Sequence, residues 1–243
     1  MSRLAILRRS QFVDLHDMRR FAALAALLFL LCSCATDVDY AAIRSPNTIA
    51  SSRVANLQRG TFTEPVRIAI APPLRGNGNF RREDRASWSK EERAVIDRWV
   101  EAAAKKGAIR DAIYLPRLLV ENGTASTDPL GEAAKAARLG GAEAVLVVQT
   151  AAGTNKGGNV LSVLYLTIVG CWVIPGTTMR SSAIAEGVLI GADGATLYGF
   201  GEGLGKKSSV TPVAYADNAD GDERAVCEAL DELGKRLLEM TGK

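Results

Sequence analysis

Histidine is close to absent. The 243-residue chain holds one, His16, and it falls within the first 33 residues, so the rest of the chain has none. That excludes Ser-His-Asp and Cys-His nucleophile pairs, and every zinc site with imidazole ligands, from residues 34–243. Cysteine is nearly as scarce. Of the four, Cys32 and Cys34 sit together near the N-terminus, and the other two, Cys171 and Cys227, are too few for an all-cysteine zinc cage. The remaining carboxylates and serines are scattered, with no spacing that nominates a catalytic pair, so no catalytic residue, cofactor or metal is expected. A membrane-spanning helix is missing as well: a span needs about 20 apolar residues, and the apolar run 21–31 has eleven.

That short run carries a different message. It follows Met18-Arg19-Arg20 and ends in Leu31-Cys32-Ser33-Cys34, the basic start, apolar middle and small-residue end of a secretory signal. The ending has the form of a lipobox, after which a cysteine is acylated and becomes the mature N-terminus. Cys34 is the expected acceptor, because Ser33 before it is small, whereas Leu31 before Cys32 is too large for the cleavage position. Asp14 and Asp17 suit a signal poorly, which places the expected start at Met18. Each buried methylene contributes roughly 0.8 kcal/mol and a single acyl chain attaches only reversibly, so the two or three chains of a bacterial lipoprotein are expected to hold Cys34 permanently. Ala35, not aspartate, follows the cysteine. In lipoproteins of this kind such a residue permits transfer to the outer membrane, and the expected location is the envelope, facing the periplasm.

Charge of one sign is also missing once the signal is removed. Residues 1–33 take five of the 30 basic and two of the 27 acidic side chains, leaving 25 of each. Nucleic-acid binding relies on clustered positive charge, and the best cluster, Arg81, Arg82 and Arg85, is interrupted by Glu83 and Asp84. It reads as a solvated loop. The expected partners are the membrane, through Cys34, and an unidentified envelope protein, with no nucleic acid. Cys171 and Cys227 are able to pair in an oxidising periplasm. Two buried thiols are the plainer reading, since Cys227 borders a helical apolar face and Cys171 lies in a very apolar run.

Residues 34–65 are polar and broken, with Ser45-Pro46-Asn47 and Ser51-Ser52, and read as a flexible tether. About 30 residues of coil span roughly 30 Å. Residues 66–243 suit one α/β domain. A first strand is predicted over 66–71, ended by Pro72-Pro73. Gly76-Asn77-Gly78-Asn79 hints at a phosphate cradle but lacks the third glycine and the following helix of a dinucleotide site. Ser89 and Glu92 form a capping box for a helix whose apolar face is Val95, Ile96, Trp99, Val100 and Ala103, stopped by Gly107. A second strand follows over 108–115. Asp128 and Pro129 then open an alanine-rich helix ended by Gly140-Gly141, and a buried third strand covers 142–149. Strands alternating with helices imply parallel pairing.

The second half changes character. Residues 160–174 are apolar on both alternating faces and read as a strand buried on both sides, with a partner-facing surface carrying Tyr165 and Trp172, or insertion into the bilayer, as the alternatives. Strands over 182–191 and 195–201 flank the hairpin signal Asp193-Gly194. Asp217, Asn218, Asp220, Gly221 and Asp222 look like part of a calcium loop, but the EF-hand register puts Ala216 and Cys227 where carboxylates are required. An acidic turn capping a helix is expected instead. Val226, Leu230, Leu233 and Leu237 mark that closing helix. The predicted fold is a single three-layer α/β domain on a mixed sheet, with a parallel βαβαβ first half, an antiparallel hairpin second half and a C-terminal helix.

Residues 161–176, Leu-Ser-Val-Leu-Tyr-Leu-Thr-Ile-Val-Gly-Cys-Trp-Val-Ile-Pro-Gly, resemble the rhombotarget lipoproteins of bacteria, supported by Ala112-Ile113-Tyr114-Leu115-Pro116 and Thr211-Pro212-Val213. Some relatives carry a Gly-Gly, hydrophobic, basic tail cut by a rhomboid-type protease. This chain ends Met240-Thr241-Gly242-Lys243 without one, and the resemblance implies no catalytic residues. The order of elements is also similar to that of the curli secretion lipoprotein's periplasmic domain, a likeness at the level of fold. The expected role is therefore a non-enzymatic envelope lipoprotein that binds or assembles with another component. The alternatives are a subunit of an oligomeric outer-membrane secretion channel and a hydrolase or transferase that works without histidine.

Overall fold

A computed structural model describes residues 36–43, 54–76, 78–79, 87–120, 128–159, 161 and 172–241. The expected signal, Cys34, Tyr165 and Cys171 lie outside them. In chain order the elements are α1 (Tyr40–Ile43), β1 (Gln58–Arg59), β2 (Val66–Ile70), β3 (Leu74–Arg75), α2 (Lys90–Lys105), β4 (Ile109–Tyr114), α3 (Arg117–Val120), α4 (Pro129–Leu139), β5 (Ala144–Gly158), β6 (Thr177–Gly191), β7 (Thr196–Thr211) and α5 (Asn218–Thr241). The strands form one mixed sheet in the order β1-β7-β6-β5-β2-β4, with β3 beside β5. Pairing is parallel for β2 with β4 and β5, and antiparallel for β5 with β6 and β6 with β7. This is the α/β mixed sheet that the sequence predicts.

Local signals place the element ends. Ser89 Oγ accepts from Glu92 N while Glu92 Oε2 accepts from Ser89 N, a complete capping box on α2. Asp128 Oδ1 accepts from Gly131 N at the start of α4, with Pro129 in its first turn. Gly194 closes the β6–β7 turn at φ +73°, a conformation that glycine adopts without strain.

The sheet separates two apolar layers. On one face Ile68, Ile70, Leu146 and Val148 meet Ile96 and Trp99 of α2 and Val226, Leu230 and Leu233 of α5. On the other, Ala69, Val145, Val147 and Ile190 meet the alanines of α4. β2 lies between β4 and β5, so the chain moves from β2 one way to β4 through α2 and then back past β2 to β5 through α4. Crossovers of one hand in opposite directions put the two helices on opposite faces.

Three strands run longer than expected. β5, β6 and β7 have 15, 15 and 16 residues, making a ribbon about 50 Å long at roughly 3.3 Å per residue. Glycine and lysine lower strand propensity in the extensions, yet α5 supports them. Gly199, Gly201, Gly203 and Gly205 lie on the β7 face under α5, beside Leu237, Leu233, Ala229 and Ala225 respectively. Two residues of strand advance about 6.6 Å and four residues of helix about 6.0 Å, so the two rows stay matched. A side chain at Gly203 or Gly205 would meet the carbonyl oxygens of Ala229 and Ala225.

Two expectations change. Residues 36–43 and 54–65, read as parts of a free tether, lie on the domain. β1 pairs with β7, Phe62 stacks on Tyr198 at 4.1 Å, and buried Ile43 packs over Gly153. Short apolar residues in a polar stretch show no periodicity, so their docking is decided by the surface they meet. At its described ends, the run read as a buried strand is not strand: Leu161 and residues 172–173 are helical in conformation and exposed. The residues between lie outside the described part.

Candidate functional site

In open α/β sheets the crevice at the carboxyl ends of the strands, where neighbouring connections diverge, is the usual ligand position. Here that position is the end of β2, and side chains of the protein fill it. The Arg75 guanidinium grips Glu92 in a bidentate pair, Nη1 to Oε1 at 2.7 Å and Nη2 to Oε2 at 2.6 Å, with side chains only 5% and 2% exposed. Arg75 Nη1 also donates to Thr150 Oγ1 at 2.8 Å, and its charge lies 5.6 Å from the Trp88 ring centre. Trp88 Nε1 donates to the Ala71 carbonyl at 2.9 Å. Glu92 thus has two tasks, as capping residue and as counter-ion.

A second buried carboxylate lies farther along β5. Asp222, fully buried in the first turns of α5, accepts from Asn79 N at 2.8 Å, Asn79 Nδ2 at 3.2 Å and Thr154 Oγ1 at 2.6 Å. Because Thr154 donates its one hydroxyl proton to Asp222, it accepts from Ser181 Oγ, 2.5 Å away. This corrects the reading of Asp222 as part of an acidic turn capping the helix. Helix register rotates it inward, and Asp217 takes the terminal role by accepting from Ala219 N. Both carboxylates are committed to donors, the condition under which buried charge is tolerated.

A cleft of about 970 Å³ opens between α2 and α5, lined by Lys90, Glu91, Arg98, Glu223, Cys227 and Asp231 among others. Its charges are mixed, and no cluster able to hold a metal ion occurs among the described residues. Cys227 is a free, half-buried thiol. Burial, followed by the nearby charges of Glu92, Glu223 and Glu91, pushes its pKa up to about 12. A thiol held in that form is a poor nucleophile. Among the described residues the carboxylates that shift, Asp37, Glu101, Asp111 and Asp193, all shift downward, the first three chiefly through hydrogen bonds to cationic side chains and Asp193 through the Ala195 amide.

The segment nearest the expected acyl cysteine is well placed. Asp37 bridges Arg180 at 3.2 Å and Lys206 at 3.0 Å, Asn155 Nδ2 donates to the Thr36 carbonyl at 3.1 Å, and Tyr40 Oη donates to the Gly205 carbonyl at 3.4 Å. Trp172 is 56% exposed and meets Tyr215 edge-on at 6.0 Å.

No family model matches the chain, and no curated protein matches it. Solved structures to which it is similar include the PelC dodecamer of Paraburkholderia phytofirmans, at 11% identity and TM-score 0.36, over 76% of this chain and 95% of that one. The lipoprotein GNA1162 of Neisseria meningitidis follows at 15% and 0.32, over 60% and 85%. The hypothetical protein CT253 of Chlamydia trachomatis stands at 11% and 0.33, over 73% and 93%.

Neither ion network was visible in the sequence. Arg75 and Glu92 stand 17 positions apart across a loop, and Asn79 and Asp222 stand 143 apart. The one usable signal was negative: an aspartate at helix spacing from Val226 and Leu230 points inward and needs a donor.

Proposed function

We propose that the chain is a bacterial envelope lipoprotein, moored by acylated Cys34 in the outer membrane and facing the periplasm, whose α/β domain binds another envelope component without transforming it. The observation that supports the mooring is the docking of residues 36–43 on the ribbon, two residues after the expected acyl cysteine. Binding is supported by the edge of β7. Beyond Leu197, where β1 stops, no strand among the described residues pairs with β7 on the side away from β6, and Phe200 and Leu204 are exposed there. Such an edge accepts a strand from another chain. A catalytic role has less to draw on, because the buried carboxylates are bonded and the Cys227 thiol stays protonated. The same edge is available to a neighbouring copy, which keeps the channel-subunit reading as the second.

The test uses intact cells with a photo-crosslinking residue at position 204 and fatty-acid labelling. The expected result is a labelled protein joined to a single dominant envelope species. Ring particles by electron microscopy, with self-crosslinks only, would favour the channel subunit. A wild-type protein without label, and Cys34→Ser protein that remains in the envelope fraction as before, would overturn the mooring.

A further inference from the structure

The free end of the β5–β6–β7 ribbon gathers apolar side chains that the core does not use. Gly158, Thr177 and Thr211 form the last row of the three strands. Around that row Trp172 is 56% and Val173 69% exposed, and Val210, Val213 and Tyr215 are exposed as well. Exposed apolar groups in such a cluster mark a contact surface. Tryptophan and tyrosine together suit the membrane–water interface, where the ring is buried and its polar tip stays wet.

The occupant follows from the path of the N-terminal segment. Tyr40 is fixed at Gly205, in the row of Ala183 and Ala152; Asp37 is fixed at Arg180 and Lys206; Thr36 is fixed at Asn155, in the row of Arg180 and Ser208. Read backwards, the chain climbs the ribbon toward its free end. From the Asn155 row to the last row is three residues of strand, about 10 Å. From Thr36 back to Cys34 is two residues, a reach of up to about 7 Å. Acyl chains on Cys34 would therefore start within about 7 Å of Thr36, a distance comparable with the about 10 Å that separates the Asn155 row from the exposed aromatic end.

We propose that this end is a membrane-contacting surface: Trp172, Val173, Val210, Val213 and Tyr215 rest in the headgroup region of the leaflet that holds the Cys34 acyl chains, and the ribbon stands away from it. The proposal rests on the lipoprotein reading. Its consequence is orientation, since two contacts fix the domain where a single acylated residue would let it swing. The β7 edge then projects from the bilayer at a defined height.

The test takes the full lipidated protein into vesicles of phosphatidylethanolamine and phosphatidylglycerol, with or without bromine on the acyl chains. Trp88 and Trp99 are buried in the core, so Trp172 is the described tryptophan within reach of the quencher. The expected result is lower fluorescence in brominated vesicles, a difference lost in Trp172→Phe and reduced in Val173→Asp while both variants keep their fatty-acid label and their flotation with vesicles. Labelled, vesicle-bound protein with equal fluorescence in both vesicles overturns the orientation alone. Protein with no label on Cys34 overturns the lipoprotein reading and this proposal together.

Discussion

Arg75 and Glu92 hold opposite charges with almost no water around them, so neither can be removed alone. Truncating one member of such a pair strands the other, at a cost of about 3–5 kcal/mol, whereas an apolar replacement of both is often neutral. Glu92→Ala is therefore expected to lower stability by about 3–5 kcal/mol in urea unfolding, and Arg75→Met with Glu92→Leu to recover much of it. Equal losses in the single and double variants would show that the capping box, and not the ion pair, is what Glu92 supplies. The cap was legible because its two residues are three apart on one helix end. The ion pair was not, since Arg75 reaches Glu92 only after β3 has aligned beside β5.

α5 and β7 hold each other in place through a row of glycines. At Gly203 an added Cβ meets helix backbone, which has no rotamer with which to yield, whereas at Gly199 it meets Leu237 Cδ2 at an ordinary 3.6 Å. Overpacking costs typically about 1–3 kcal/mol and occasionally more. Gly203→Ala is expected to destabilise by at least that much in thermal melts followed by circular dichroism, and Gly199→Ala to be neutral or slightly stabilising. Similar effects at both positions would mean that α5 does not press on the strand as described. In the sequence the alternation Gly-Phe-Gly-Glu-Gly-Leu-Gly weakens the case for strand, so the predicted element ended at Gly201. The reason for the glycines lies in helix residues 20 or more positions away, from Gly205 to Ala225 at the least, and no short window along the chain brings the two together.

As a whole, the molecule is a domain with its own N-terminal strap. Asp37 fastens the strap, and its hydrogen bond and attraction to Lys206, then those to Arg180, hold its pKa below the usual 3.8. A lowered folded value means that the stabilisation is complete above 3.8, the unfolded value, and is lost as the pH falls through the folded one. Acidification below about pH 4 is expected to raise amide exchange in residues 37–43 while the centre of β5 and β6 stays protected, and Asp37→Asn to reproduce this at neutral pH. Unchanged exchange in both would leave the strap held by Tyr40 and Ile43 alone. The amino-acid order by itself determined what depends on neighbours a few positions apart: the caps at Ser89 and Asp128, the turn at Asp193-Gly194, the alternation of strands and helices and hence the mixed sheet. Only the tertiary structure decided the buried ion networks, the glycine row beneath α5, the docked strap and the aromatic end beside it. Each of those is a contact between distant segments, whose energy exists only after the sheet has brought them within a few ångströms.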